Sequence, residues 1–111
     1  MNLGKSIQAI RKRQGFTQEA LADKAGLSRP SLSQIENNSI RPTEDTLKRI
    51  SEALEVPESL IYIHSFEKED VPDAKRGIYD QLFPIIQEMI QRVALEGAKP
   101  SDSGEEKQET K

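Results

Sequence analysis

Cysteine and tryptophan are absent from the 111-residue chain, and histidine occurs once, as His64. Without cysteine there is neither a disulfide framework nor a thiolate zinc site. A lone histidine cannot assemble a metal cluster, so no metal and no other cofactor is expected. Aromatic residues are 5% of the chain, which leaves the core aliphatic and modest. No apolar run approaches the roughly 20 residues that a membrane span needs. No signal-peptide pattern precedes the first helical stretch, and the expectation is a soluble, cytoplasmic protein. Catalytic patterns are missing too. His64 belongs to no nucleophile–base constellation, and the GKS and GLS tripeptides lack the strand and glycine pattern of a phosphate loop. No enzyme is expected.

Net charge is −3, an unpromising balance for a partner of nucleic acid until it is divided along the chain. Residues 1–49 hold nine cations, among them Arg11, Lys12, Arg13, Arg29 and Arg41, against five carboxylates. From Ser65 onward seven cations face eleven carboxylates. The basic part has the composition of a phosphate-facing surface, and the acidic remainder should weaken non-specific binding.

The stretch TQEALADKAGLSRPSLSQIENN, residues 17–38, coincides with that basic part. Thr17 is placed to cap a helix in which Ala20, Leu21 and Ala25 recur at helical spacing. Gly26 follows, where a sharp turn asks for a left-handed residue. Ser28 caps a second helix, Pro30 is tolerated in its first turn, and Leu32 and Ile35 are its buried pair. Small Ala22 lets the two helices approach, with Leu21, Ala25, Leu27, Leu32 and Ile35 inside the crossing. Two helices joined through a glycine turn make a helix-turn-helix, which can set its second helix into a DNA major groove.

Around this unit, Leu3, Ile7 and Ile10 predict a first helix over Leu3–Gln14, ended by Gly15, with Phe16 plugging the bundle. After Asn37 and Asn38 a connector, residues 39–42, should turn Ile40 inward and Arg41 outward. Thr43 caps a fourth helix with Glu44 and Asp45 at its positive end and Leu47, Ile50 and Leu54 inside. Val56-Pro57 opens a fifth helix to about Ile63. Short, locally connected helices make the class all-α. The expected division is 1–64 for the bundle, 65–73 for a charged linker, 74–96 for a further helical segment and 97–111 for a disordered tail. In the segment 74–96, Ile78, Leu82, Ile85, Ile86, Met89 and Val93 give a broad apolar face, suited to pairing with a second chain as a homodimer. Folding back on its own bundle is the alternative. Pro84 should kink the segment or divide it in two. About 47 residues after the bundle are too few for a separate ligand domain.

The helix-turn-helix stretch, with IRKRQGFTQ before it and NNSIRPTEDTLKRISEAL after it, resembles the DNA-binding domain of phage repressors and Cro proteins, the Xre family of regulators. The resemblance covers roughly the first 60 residues. It implies a five-helix repressor-type bundle, here followed by the C-terminal helical segment. It also implies double-stranded DNA as partner. In the family, bases are read from the first two positions of the recognition helix and one near its sixth, which here are Arg29, Pro30 and Gln34. Arginine can bond a guanine and glutamine an adenine bidentately. Pro30 departs from a commonly polar position and has no side-chain hydrogen bond to offer, so DNA shape should carry part of the specificity. Ser33 is a possible additional base contact. Gln18 matches the family's phosphate-clamping glutamine and could brace the recognition helix as well. Ser31, Asn37, Arg41 and Arg13 are candidate phosphate contacts, with a solvated cap or surface role as the alternative for each. Arg11 matches an arginine that pairs internally with the residue here numbered Glu36, a phosphate contact being the other option. Asn38 stands where many relatives have glycine, a mild departure at a left-handed helix end. The implied function is a sequence-specific transcriptional regulator, most simply a repressor acting as a homodimer on a palindromic operator and associated with the nucleoid when bound. An autoregulating antitoxin and a protein-interaction adaptor built on the same bundle are the alternatives.

Overall fold

Side-chain caps set where most of the helices begin. In the computed structural model, which describes residues 1–96 and the side-chain surroundings as far as Val93, Asn2 Oδ1 accepts the Lys5 amide at 2.9 Å and opens α1, Leu3–Arg13. Thr17 Oγ1 accepts from Ala20 at 3.0 Å and opens α2, Gln18–Ala25. Ser28 Oγ accepts from Ser31 at 3.2 Å at the start of α3, Arg29–Glu36. Thr43 Oγ1 does the same for Thr46 at 3.1 Å before α4, Glu44–Leu54. Each cap satisfies an amide that the first helical turn leaves without a partner. The chain continues with α5, Glu58–Ser65, two single 3₁₀ turns at Lys68–Asp70 and Asp73–Lys75, and α6, Arg76–Glu96. Among the described residues there is no strand, and no helix is long and apolar enough to cross a membrane. The tail expected to be disordered, residues 97–111, lies outside the described residues.

The turns between these helices have the conformations their residues suit. Gly15 and Gly26 take φ of 86° and 73° after α1 and α2. Asn38, at 63°, fills the left-handed position after α3, as asparagine can. Glu55, at 57° after α4, has no comparable sequence signal. The core is aliphatic apart from Phe16. Ile7, Leu21, Leu32, Ile50, Leu54 and Ile61 are fully buried at its centre, and Ala22 and Ala25 allow α2 to pack closely against α3 and α4.

Two sequence expectations need correcting. Ile40 is not inward but 44% exposed. The amides of Ser39 and Ile40 both fold back on the Gln34 carbonyl, at 2.9 and 3.3 Å, and that turn holds the side chain at the surface. The fifth helix runs on through His64 and Ser65, because the Ser65 hydroxyl donates to the Tyr62 carbonyl and its own carbonyl anchors the Asn2 amide at 2.9 Å. Of the two outcomes expected at Pro84, the segment takes the continuous one: it is a single helix with Pro84 inside it.

The apolar face of α6 is also divided differently from the expectation. Ile90, which the apolar stripe left out, is 1% exposed and belongs to the bundle core. Ile86 and Val93, expected on the pairing face, pack beside it against the bundle. They lie four residues before and three after Ile90, on one side of the helix. That side meets α1 and α5. Ile78, Leu82, Ile85 and Met89 remain exposed. One side of this helix therefore folds back on the bundle, and the other side stays exposed.

Candidate nucleic-acid interface

The recognition helix α3 is held from its buried side. Leu32, Ile35 and Glu36 recur there at spacings of three and one and face inward. Glu36 is 5% exposed and Arg11, on α1, 6% exposed. Arg11 Nε donates to Glu36 Oε2 at 2.7 Å and Nη2 to Oε1 at 3.0 Å. Arg11 Nη1 donates to the Phe16 carbonyl at 2.7 Å. The pair is thus bidentate, and the third guanidinium nitrogen is used to fix the α1–α2 turn. Arg11 faces the interior and does not stand free for a phosphate. Gln18 Nε2 donates to the same Glu36 Oε1 at 3.0 Å. The first residue of α2 and the last of α3 are therefore locked to each other and to α1 through one carboxylate.

The outer side of α3 follows from the same periodicity. Pro30, Ser33, Gln34 and Asn37 are separated by three, one and three residues, so they line the stripe opposite Leu32 and Ile35. Pro30, Gln34 and Asn37 are exposed and Ser33 half-buried. Arg29 is exposed at the helix start. With its side chains an α-helix is about 10–12 Å across, a size that a major groove about 12 Å wide accepts. The first turn of α3 has no acidic residue, which leaves the positive end of the helix dipole unopposed.

The remaining predicted contacts differ in how far they are committed to other partners. Ser31 is half-buried, and its Oγ accepts from the Ser28 hydroxyl at 2.9 Å within the cap of α3. Asn37 Oδ1 accepts the Ser39 amide at 2.9 Å, which leaves its amide group to donate outward. Gln18 keeps its amide oxygen while its nitrogen braces Glu36. Arg13, Arg29 and Arg41 are exposed with no ion pair among the described residues. The contacts within the chain bring Gln18, Glu36 and Arg11 together. They do not join Arg13 or Arg41 to that cluster.

Two supports of this surface escaped the sequence reading. Asn38 Oδ1 accepts the Gly4 amide at 3.1 Å and its Nδ2 donates to Asn2 Oδ1 at 2.7 Å, which ties the end of α3 to the start of α1. Gly4 sits so near this end that a Cβ would collide with the carbonyl oxygens of Ile35 and Glu36. A glycine in the first turn of a helix, where it adds no stability of its own, was the available signal. Gln14 is the second support: its Nε2 donates to the Leu54 carbonyl at 2.9 Å and joins the end of α1 to the end of α4.

A capped α2, a left-handed glycine turn and an α3 with one buried and one exposed stripe define a helix-turn-helix DNA-binding domain. Comparison with known proteins agrees. Residues 7–61 match the sequence profile of the Helix-turn-helix family. That part of the chain is thus a helix-turn-helix domain of the Xre-like type. The chain is 43% identical over 61 residues to the immunity repressor protein of Bacillus phage phi105, a match covering 55% of this chain and 42% of that protein. It is 32% identical over 63 residues to the competence pilus inhibition repressor of Acinetobacter baylyi, covering 57% of each. An uncharacterized HTH-type transcriptional regulator of Mycobacterium tuberculosis is 32% identical over 62 residues, covering 56% of this chain and 44% of that one. The matches thus span about half the length of these relatives.

Proposed function

We propose that the protein is a sequence-specific DNA-binding transcriptional repressor that acts as a homodimer on a palindromic operator. The observation that carries this reading is the exposed stripe on α3, fixed from behind by the buried Arg11–Glu36 pair and by Gln18. A reading helix must be rigid to discriminate bases, and a buried bidentate pair supplies that rigidity. Arg29, Pro30, Ser33 and Gln34 read bases. Gln18, Ser31, Asn37, Arg41 and Arg13 contact phosphates. Residues 1–64 serve as the DNA-binding unit and α6 brings two copies together, with repression by occupancy of the site. Two of the relatives are named repressors, which favours repression over activation.

Selection of bound sequences from a random DNA pool tests this reading. The expected result is an enriched site made of two inverted half-sites. Gln34→Ala should then weaken binding to that site by about 1–3 kcal/mol and leave binding to random DNA almost unchanged, since it removes a base contact and no phosphate contact. A pool that yields no enriched sequence, or equal losses on both DNAs, would remove Gln34 from readout and favour a protein-interaction role for the bundle.

A further inference from the structure

The packing of α6 on the bundle leaves a cleft at the surface. It opens where the first half of α6 passes the start of α1 and the end of α5, with a volume of about 310 Å³. That is near the lower end of volumes that hold small molecules, with room for one single-ring or fused-ring compound. Part of its lining is aromatic. Tyr79 and Phe83 stack with centroids 5.3 Å apart, and Phe66 lies 6.2 Å from Tyr79. These three are a large share of the chain's five aromatic residues, and none of them is in the buried core. An aromatic cluster kept out of the core and turned onto a cleft offers a stacking surface.

The polar part of the lining leaves one cation and one carboxylate uncommitted. Of its four charged residues, Lys68 is paired with Asp80 at 3.1 Å and Glu67 with the Met1 ammonium at 3.3 Å. Lys5 and Glu69 have no ion pair among the described residues. The Ser6 hydroxyl is already committed, donating to the Ile61 carbonyl at 2.8 Å. Lys5 is therefore the cation available to an anionic guest.

We propose that this cleft is a binding site for a small aromatic carboxylate, its ring against Tyr79 and Phe83 and its carboxylate at Lys5. The class includes free aromatic acids and aromatic amino acids. In the second case Glu69 meets the ammonium group. A guest there touches α1, α5 and α6 at once and so bears on how α6 lies against the bundle.

The test is titration of the full chain, labelled with nitrogen-15, by phenylacetate, indole-3-acetate, phenylalanine and tryptophan, with acetate and alanine as ring-free controls. Saturable amide shifts centred on Lys5, Ser6, Tyr79, Phe83 and Gln87 are expected for at least one aromatic compound and for neither control. The amino acids binding more tightly than the free acids assigns Glu69 to an ammonium, and the reverse order assigns the free acids. Phe83→Ala and Lys5→Ala should each weaken that binding about tenfold or more. Phe83 is only half-buried and Lys5 exposed, so both variants should keep the native spectrum elsewhere. No saturable shift up to about 10 mM, a concentration at which even a millimolar site would fill, overturns the proposal. So do shifts centred elsewhere, or variants that bind as tightly as the parent.

Discussion

Glu36 concentrates more consequence than any other single side chain at the interface, because two donors from different helices depend on it. Glu36→Ala leaves the Arg11 guanidinium buried with the Phe16 carbonyl as its one remaining partner. Stranding a buried charge costs about 3–5 kcal/mol, whereas the intact pair adds little over an apolar substitute. Lys12, next in sequence to Arg11, is exposed, and Lys12→Ala should cost almost nothing. Thermal melts of the two variants should therefore separate widely, and coincident melts would refute the internal role of the pair. His64 gives a second expectation at this scale. Burial lowers its pKa from 6.5, with the Arg13 and Lys5 charges acting in the same direction and a hydrogen bond with Ser6 opposing them. Above 6.5 the ring is neutral in the folded and unfolded chain alike. As pH falls below that value, the unfolded chain binds the proton first, and stability declines until the folded pKa is passed. The melting temperature should thus drop between pH 7.5 and 5, and His64→Gln should show a shallower drop over the same interval.

Among the helices, α1 to α5 were legible in the sequence because independent signals agreed. Thr17, Ser28 and Thr43 each stand at a helix start where their hydroxyls accept an amide, and the apolar stripes begin just after them. The helix-turn-helix site was equally legible, since Gly26 and the stripe of Leu32 and Ile35 fix which side of α3 faces out. What was not legible belongs to long-range contacts. Nothing local distinguishes Ile86 from Ile85, yet one packs on the bundle and the other is 65% exposed. A helix with apolar residues over more than one face does not state which face its own chain will cover. Gly4 and Asn38 were missed for the same reason, 34 residues apart in sequence and joined by one hydrogen bond. The two sides of α6 should respond differently to truncation. Ile90→Ala should lower the unfolding free energy by about 2–5 kcal/mol at every protein concentration, as a core cavity does. Ile85→Ala should remove only the part of the stability that rises with concentration. Urea unfolding at two concentrations separates them, and a concentration-independent loss for Ile85→Ala would place that side chain in the core.

At the scale of the whole molecule, the proposed homodimer rests on the exposed residues of α6. Ile78, Leu82, Ile85 and Met89 follow one another at spacings of four, three and four, the a/d repeat of a narrow helix-to-helix seam. With Ile86 and Val93 withdrawn to the bundle, the remaining surface is this seam rather than the broad face the sequence suggested. A two-fold axis across it would set the α3 helices to enter successive major grooves, about 34 Å apart or a multiple of that. Deleting α6 is a poor test, since it also removes Ile90 from the core. Leu82→Glu with Ile85→Glu is the sharper one. Both positions are exposed, so each subunit should keep its fold, while paired carboxylates in an apolar seam should prevent association. Light scattering is expected to show a monomer. Affinity for a site with two half-sites should fall by about 10²–10⁴-fold, the advantage of linked binding, and affinity for a single half-site should be unchanged. A double variant that remains dimeric places the interface on another surface of the bundle. A monomer that still binds the full site as tightly shows that the two half-sites are filled independently.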